Sequence, residues 1–172
     1  MTSYDTLYLV VTGAGTARRA PELLRRLTPL AARTIVLLTP NARAVVSPRE
    51  LALVPGHRLV ESYFDSAILP RPAEGVVLVA PCDFNSLNKL AQGIADNLAL
   101  SVVAEAIGRH TPLAIAVSVN APLWAHPRAG SSVALLRAWG CRVLEPVQRE
   151  GGTTMAPDDD IVAAVAPWLS KE

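Results

Sequence analysis

Four short stretches of this chain are almost wholly apolar, and they constrain its fold more than any other feature. They are Leu7–Val11, Thr34–Leu38, Val76–Ala80 and Leu113–Val119. Runs of this length suit strands that are buried on both faces, which is typical of a parallel sheet covered by helices. Between them, Arg18–Leu30 carries leucines at helical spacing with arginines on the other side. This alternation predicts an α/β fold with a parallel, doubly wound sheet.

Capping residues mark several helix ends. Ser47 can cap a helix that has Pro48 in its first turn and Glu50 to complete a capping box. The acids that follow Pro157 favour the start of a last helix, and Gly140 is placed to stop a helix. The remaining predicted elements are helices at Leu87–Gly93, Asn97–Gly108 and Ser131–Trp139, a third strand beginning near His57, and a strand at Arg142–Leu144.

Length and composition indicate one domain over residues 1–172. Hydrophobic residues make up 51% of the chain, which is ample for a buried sheet, and the net charge of +1 argues against a nucleic-acid partner. The two cysteines have no metal-binding spacing, and the apolar stretches are too short to span a bilayer. Met1–Asp5 leads straight into a strand without a signal peptide. We therefore expect a cytoplasmic protein with no membrane partner and no metal.

Three polar blocks follow the predicted strands or lie on the next helix. They are Pro81–Ser86, Gly93–Asn97 and Val119–Pro127. In an open α/β sheet, ligands bind outside the carboxyl ends of the strands. Polar groups there can face a ligand without being buried unpaired, so Asn85 and Asn120 are candidates for ligand contact.

These blocks resemble the motifs of the homo-oligomeric flavin-containing cysteine decarboxylases. The family's Pro-Ala-Ser-Ala-Asn-Thr loop survives as Pro81 and Asn85, with Ser86 for threonine. Its Gly-x-Ala-Asp-Asn helix is intact at Gly93–Asn97, and its Pro-x-Met-Asn-x-x-Met-Trp loop keeps the asparagine and tryptophan of Asn120–Trp124. The family includes phosphopantothenoylcysteine decarboxylase and enzymes that decarboxylate the C-terminal cysteine of lantibiotic precursors. The resemblance implies a flavodoxin-like (Rossmann-type) three-layer flavoprotein that binds FMN.

The first βα turn is a candidate phosphate site. Gly13 and Gly15 let the backbone approach a phosphate, and the helix that follows offers free N–H groups, although such turns also occur for steric reasons alone. The resemblance places the FMN phosphate here, with Thr12 or Thr16 supplying a hydroxyl. The cofactor-binding residues that the resemblance implies are Gly13, Ala14, Gly15, Thr16, Thr39, Pro81, Asn85, Ser86 and Ser101. Thr39 has a strand-to-helix cap as its alternative role, and Ser101 an interior helix position.

The resemblance also implies contacts to the substrate. Asn120 would hold the substrate carboxylate and support its loss, with a turn asparagine that satisfies local backbone as the alternative. Asp96 either contacts the ligand or a neighbouring subunit, or is the N-cap of a helix starting at Asn97. Gly151 and Gly152 suggest a short, closable loop over the site. The implied substrate-binding residues are Asn120, Leu123, Trp124, Gly151, Gly152 and Met155, and Trp124 has core packing as its alternative.

The histidine that the family uses in catalysis is missing. The corresponding segment Tyr63–Pro72 has none; counting along the chain without gaps puts Ala67 at its position, and a short deletion would put Pro70 there. His126 could reach the site from the Asn120 loop or lie in a surface turn, so the catalytic candidates are Asn120 and His126. The other two histidines are expected away from the site.

The resemblance implies a reaction in two steps. FMN takes a hydride from a cysteine side chain, and the loss of carbon dioxide then gives an enethiolate. Phosphopantothenoylcysteine decarboxylases carry a cysteine in the segment over the substrate, and Gln148–Met155 has none. We therefore expect oxidative decarboxylation of the C-terminal cysteine of a precursor peptide to an enethiol, as in lanthipeptide biosynthesis. The expected assembly is a homo-oligomer, either a trimer or a dodecamer of trimers. The alternatives are a non-catalytic FMN-binding regulatory or composite-site subunit and a phosphopantothenoylcysteine decarboxylase.

Overall fold

Six parallel strands form the central sheet, in the order β3-β2-β1-β4-β5-β6. The computed structural model describes residues 3–171; Met1, Thr2 and Glu172, which the predicted domain includes, lie outside the described residues. The strands are Thr6–Val11 (β1), Arg33–Leu38 (β2), Arg58–Leu59 (β3), Val76–Cys82 (β4), Leu113–Val117 (β5) and Arg142–Leu144 (β6). The predicted parallel, doubly wound sheet is confirmed.

The strand order fixes where a ligand can bind. It is the Rossmann order, and without the two-residue strand β3 it becomes the flavodoxin order. Strand order reverses between β1 and β4, because β2 lies on one side of β1 and β4 on the other. The crevice at the carboxyl ends of β1 and β4 is therefore the expected ligand site.

Helices cover both faces of the sheet and make three layers. They are Ala20–Leu27 (α1), Pro48–Ala52 (α2), Phe84–Gln92 (α3), Leu98–Gly108 (α4), Ala121–Ala125 (α5), Pro127–Ala138 (α6) and Asp158–Val165 (α7). The apolar residues of α1, α2 and α7 pack in one buried cluster, and those of α3, α4 and α6 pack in the other. The apolar run of β1 is continuous because its side chains alternate between the two buried clusters. Tyr8 and Val10 belong to one cluster, and Leu7 and Leu9 belong to the other.

Several predicted helix boundaries shift, and each shift has a local cause. The predicted helix Arg18–Leu30 is broken into a 3₁₀ turn, α1 and a second 3₁₀ turn. Pro29, which has no N–H to continue an α-helix, accounts for the second break. Helix α3 begins before the predicted Leu87 because the Asp83 side chain accepts a hydrogen bond from Ser86 N at 2.7 Å. Helix α6 begins at Pro127, four residues before the predicted start, with the preceding residue as its cap.

The segment before α7 forms a small hairpin where the sequence predicts a closable loop. Val147–Arg149 (β7) and Gly152–Thr154 (β8) pair antiparallel, outside the main sheet. Gly152 has a φ of +113°, a backbone conformation that side-chain-bearing residues rarely adopt. Within residues 3–171, none of the helices combines the length and apolarity needed to cross a bilayer.

Candidate functional site

Hydrogen bonds join the turns that follow β1 and β4. The hydroxyl of Thr12 donates to the Pro81 carbonyl at 2.8 Å and accepts from Asp83 N at 2.8 Å. The Gly13 N–H donates to Asp83 Oδ2 at 2.9 Å. Thr12 is fully buried, so its hydroxyl holds the two turns together and does not face a ligand. Of the two threonines considered for a phosphate, Thr16 is the one that lines a cavity.

Two cavities open at this edge of the sheet. The large cavity, of about 600 Å³, is lined by Gly13, Ala14, Gly15, Thr16, Asp83, Phe84, Asn85, Ser118, Val119, Asn120, Leu123, Thr153 and Thr154. The small cavity, of about 160 Å³, is lined by Thr39, Pro40, Asn41, Asp83, Asn85, Ser86, Lys89, Asp96 and Asn97. Asp83 and Asn85 line both cavities, which therefore meet at the start of α3.

The residues of this crevice fit a phosphate-bearing cofactor. A Cβ on Gly13 would lie 2.6 Å from Asn41 Cβ, so only glycine lets the two turns approach this closely. Thr39 Oγ1 is buried with no hydrogen-bond partner among the described residues, and Thr39 lines the small cavity. Unpaired buried hydroxyls are rare, and one at a cavity wall is an unused partner for a ligand oxygen. Thr16 and Ser118 add a pair of hydroxyls 2.6 Å apart at the large cavity.

Asn120 has one half of its amide fixed by the backbone. Its Oδ1 accepts a hydrogen bond from Leu123 N at 3.0 Å and so caps α5. This bond confirms the alternative of a turn asparagine, and it also orients the amide. Because Oδ1 faces the helix, the Nδ2 donor is directed away from it, and the exposed residue lines the large cavity.

Asn85 lies in the first turn of α3, not in the loop before it. Its side chain has no hydrogen-bond partner within residues 3–171, and the residue is exposed at the meeting point of the two cavities. An amide that offers both a donor and an acceptor suits the edge of a flavin ring. The predicted position of Asn85 at the ligand edge agrees with this placement.

Asp96 is an ion-pair partner and not a helix cap. Its carboxylate lies 2.6 Å from Lys89 Nζ, whereas Asn97 Oδ1 accepts from Leu100 N and caps α4. The hydrogen bond from Lys89 is the main cause that holds the pKa of Asp96 below its ordinary value of 3.8. The alternative that Asp96 caps this helix is therefore wrong.

Other predicted cofactor residues divide between the cavity walls and their surroundings. Ser86 is buried and lines the small cavity, while Pro81 is buried behind it and contributes the carbonyl that binds Thr12. Ser101 lies outside the lining of both cavities: its hydroxyl donates to the Asn97 carbonyl at 2.9 Å and lies 3.0 Å from Tyr63 Oη.

The predicted substrate contacts are only partly at the cavities. Leu123 lines the large cavity, whereas Trp124 packs against the buried cluster under α3 and α6. Met155 is 2% exposed in the opposite cluster and so faces away from the crevice. The exposed pair Gly151–Gly152 forms the hairpin turn, and it is Thr153–Thr154 on β8 that lines the large cavity. These two threonines have no recognisable signal in the sequence, because a three-residue strand carries too little periodicity.

His126 stands beside the crevice without lining it. Its Nδ1 accepts from Arg128 N at 3.0 Å and caps α6, which leaves the proton of the neutral ring on Nε2. The ring meets Phe84 edge to face, with 5.4 Å between centroids, and Phe84 lines the large cavity. His57 and His110 also lie outside the lining of both cavities.

The position counted for the missing histidine is not at the site. Ala67 shares a depression with Thr34 and Arg58, at the amino end of β2 and away from the crevice. Asp65, in the same segment, pairs with Arg58 at 2.6 Å. The hydrogen bond from the Ala67 N–H is the main cause that holds the pKa of Asp65 below its ordinary value of 3.8, so this carboxylate is a poor base. The segment thus places neither a histidine nor a free carboxylate at the cavities.

Comparisons with known proteins agree with this geometry. The chain matches the Flavoprotein family over residues 1–170. It is 30% identical to the phosphopantothenoylcysteine decarboxylase of Mus musculus, over 94% of this chain and 85% of that protein. It is 27% identical to the coenzyme A biosynthesis bifunctional protein of Thermococcus kodakarensis over 92% of this chain. The chain spans only 41% of that relative's length.

Solved structures share the fold. TvaF, an FMN-dependent cysteine decarboxylase from thioviridamide biosynthesis, is 26% identical with a TM-score of 0.71, covering 82% of this chain and 90% of that one. The peptidyl-cysteine decarboxylase EpiD has a TM-score of 0.78 over 94% of this chain and 98% of its own, and at 21% identity it supports the fold alone. The flavodoxin-like fold and the flavin cofactor expected from the motifs both agree with these matches. This chain therefore belongs to the Flavoprotein family, and its polar blocks resemble the motifs of the flavin-containing cysteine decarboxylases.

Proposed function

We propose that this protein binds FMN and catalyses the oxidative decarboxylation of a C-terminal peptidyl cysteine. The observation that carries the proposal is Asn120, whose capping bond directs the Nδ2 donor away from α5 at the wall of the large cavity. A fixed donor there suits the carboxylate that must be held before it leaves as carbon dioxide. Bound FMN supplies the hydride acceptor that such a reaction needs.

The residues of the crevice have distinct roles in this proposal. Thr16 and Thr39 would hold the phosphate, because they offer two hydroxyls at the cavity walls, and Gly13 lets the turns after β1 and β2 lie close together. Asn85 would bind the flavin edge where the cavities meet. The β7–β8 hairpin places Thr153–Thr154 over the large cavity, where it would cover a bound substrate and limit water access.

The segment that carries the hairpin favours a peptide over phosphopantothenoylcysteine, because it has no cysteine to protonate a product. The similarity to the mouse phosphopantothenoylcysteine decarboxylase keeps that substrate as the comparison to test.

The test supplies the FMN-loaded protein with peptides ending in cysteine and, separately, with phosphopantothenoylcysteine. We expect peptide products lighter by carbon dioxide and two hydrogens in mass spectrometry, and none from a matched peptide ending in serine. Asn120→Asp keeps an oxygen that can cap α5 but replaces the Nδ2 donor with a second acceptor. We expect it to keep FMN and to lose on the order of a hundredfold or more in rate. A fully active Asn120→Asp variant would contradict the assigned role.

A non-catalytic FMN-binding subunit is the second candidate. It is favoured by the placement of Ala67 away from the crevice, which leaves the site without the histidine that the motif expects. Under this candidate the protein binds FMN but converts no cysteine-ended peptide alone. Activity that appears only on adding a co-encoded homologue would indicate a composite site. Alanine variants of His57, His110 and His126 then test whether any histidine of this chain takes part.

A further inference from the structure

We propose that Asp83 lowers the reduction potential of the bound flavin by holding a fixed negative charge against it. The inference rests on FMN binding where the two cavities meet, as the proposed function requires. It adds to that function a residue that controls how readily the cofactor accepts electrons.

The carboxylate of Asp83 is held at the centre of the site. Its Oδ2 accepts from Gly13 N at 2.9 Å and its Oδ1 accepts from Ser86 N at 2.7 Å. These two bonds leave the side chain little freedom to turn away. Asp83 also lines both the large and the small cavity, so a ligand that fills either one meets this residue.

The charge of Asp83 has no counter-ion in the part of the chain that the structure describes. No lysine, arginine or histidine nitrogen of residues 3–171 forms an ion pair with it within 4 Å. The other carboxylate at the small cavity, Asp96, is by contrast paired with Lys89 at 2.6 Å. Among residues 3–171, the groups that bind the Asp83 carboxylate are backbone N–H groups, which stabilise an anion without cancelling its charge.

A fixed anion discriminates between the two redox states of the flavin. Two-electron reduction with uptake of one proton adds one negative charge to the ring system, while the phosphate charge stays the same. Repulsion from Asp83 therefore falls mainly on the reduced state. The ratio of the affinities for reduced and oxidised FMN isolates this effect, because contributions from the phosphate cancel in the ratio.

The test measures the midpoint potential of bound FMN in Asp83→Asn, by equilibration with a dye of known potential during slow enzymatic reduction. Asparagine keeps an oxygen that can accept from Ser86 N but carries no charge. We expect the affinity ratio to rise on the order of tenfold in favour of reduced FMN, which is an upward shift of about 30 mV for a two-electron couple. Glu22→Gln removes the same charge from an exposed pair on α1 and should leave the potential unchanged.

The outcomes separate this inference from the proposed function. Asp83→Ser gives a second uncharged variant whose hydroxyl can still cap α3. If both variants hold FMN at the wild-type potential, or if both lose FMN, the inference is overturned. If the potential rises but no peptide is decarboxylated by the wild type, the inference stands and the proposed function fails. If the wild type binds no FMN, both fail.

Discussion

Gly13 illustrates how one residue sets the shape of the crevice. A Cβ at this position would meet Asn41 Cβ at 2.6 Å and its carbonyl carbon at 3.2 Å, so Gly13→Ala must push two backbone turns apart. We expect a loss of about 1–3 kcal/mol in the free energy of unfolding, measured by urea denaturation, together with weaker FMN binding. Gly15→Ala is the matched control, since no atom lies within 4 Å of its Cβ position. Equal stability of the two variants would contradict the steric argument.

Thr12 makes a second prediction at the scale of one side chain. Thr12→Val keeps the shape but removes both hydrogen bonds of the hydroxyl, leaving the Pro81 carbonyl and Asp83 N without this partner. We expect a cost of about 1–3 kcal/mol in stability and faster hydrogen exchange at the Asp83 amide. Thr12→Ser retains the hydroxyl and should exchange like the wild type. Wild-type exchange at the Asp83 amide in the valine variant would contradict the role given to these two hydrogen bonds.

Individual site residues were predictable to different degrees. Asn85 and Asn120 follow strands at the ligand edge, and that position alone placed them correctly at the cavities. Sequence alone could not distinguish the free hydroxyl of the first turn from the bonded one, because the Thr12 hydroxyl donates to the carbonyl of Pro81, 69 positions away. Met155 was predicted at the substrate but is buried in the cluster on the other face of the sheet, among residues that are distant in the sequence.

At the scale of elements, the strands were predicted well because each carries its signal within itself. β1, β2, β4 and β5 are buried on both faces, so their apolar runs mark them directly. The hairpin β7–β8 was not predicted, since strands of three residues have no usable periodicity. Ala67, which counting along the chain puts at the position of the missing histidine, lies at the amino end of β2 because the irregular segment after β3 doubles back there.

The pair Lys89–Asp96 joins α3 to the turn before α4 and makes a prediction at this scale. Because folding lowers the pKa of Asp96, its ionised carboxylate stabilises the folded state at pH values above 3.8, the ordinary pKa of the group. This contribution is lost as the pH falls through the lowered pKa. We expect a carboxyl titration midpoint below 3.8 for Asp96, measured by carbon NMR. Lys89→Met should return the midpoint toward the ordinary value. An unchanged midpoint in that variant would mean that the ion pair does not form in solution.

At the scale of the whole molecule, three of the exposed apolar side chains belong to the segments beside the start of α4. Tyr63 and Phe64 are 53% and 87% exposed, and Ile94 is 45% exposed. Tyr63 Oη lies 3.0 Å from Ser101 Oγ, which also donates to the Ala95 carbonyl next to Ile94, so these side chains gather near the start of α4. Asp96 and Asn97, which line the small cavity, follow immediately in the chain. A partner subunit bound here would lie beside the cofactor site.

This surface predicts the assembly and links it to cofactor binding. We expect at least a trimer in sedimentation velocity, because a closed ring needs two different faces on each subunit and the apolar side chains near α4 can supply one. Phe64→Glu should dissociate the oligomer and weaken FMN binding, with little cost to the subunit because the ring is already 87% exposed. Leu53→Glu is the matched control: Leu53 is 78% exposed and directly follows α2, which packs on the other face of the sheet. A wild-type monomer at micromolar concentration would contradict the predicted assembly, and an intact oligomer in Phe64→Glu would place the interface elsewhere.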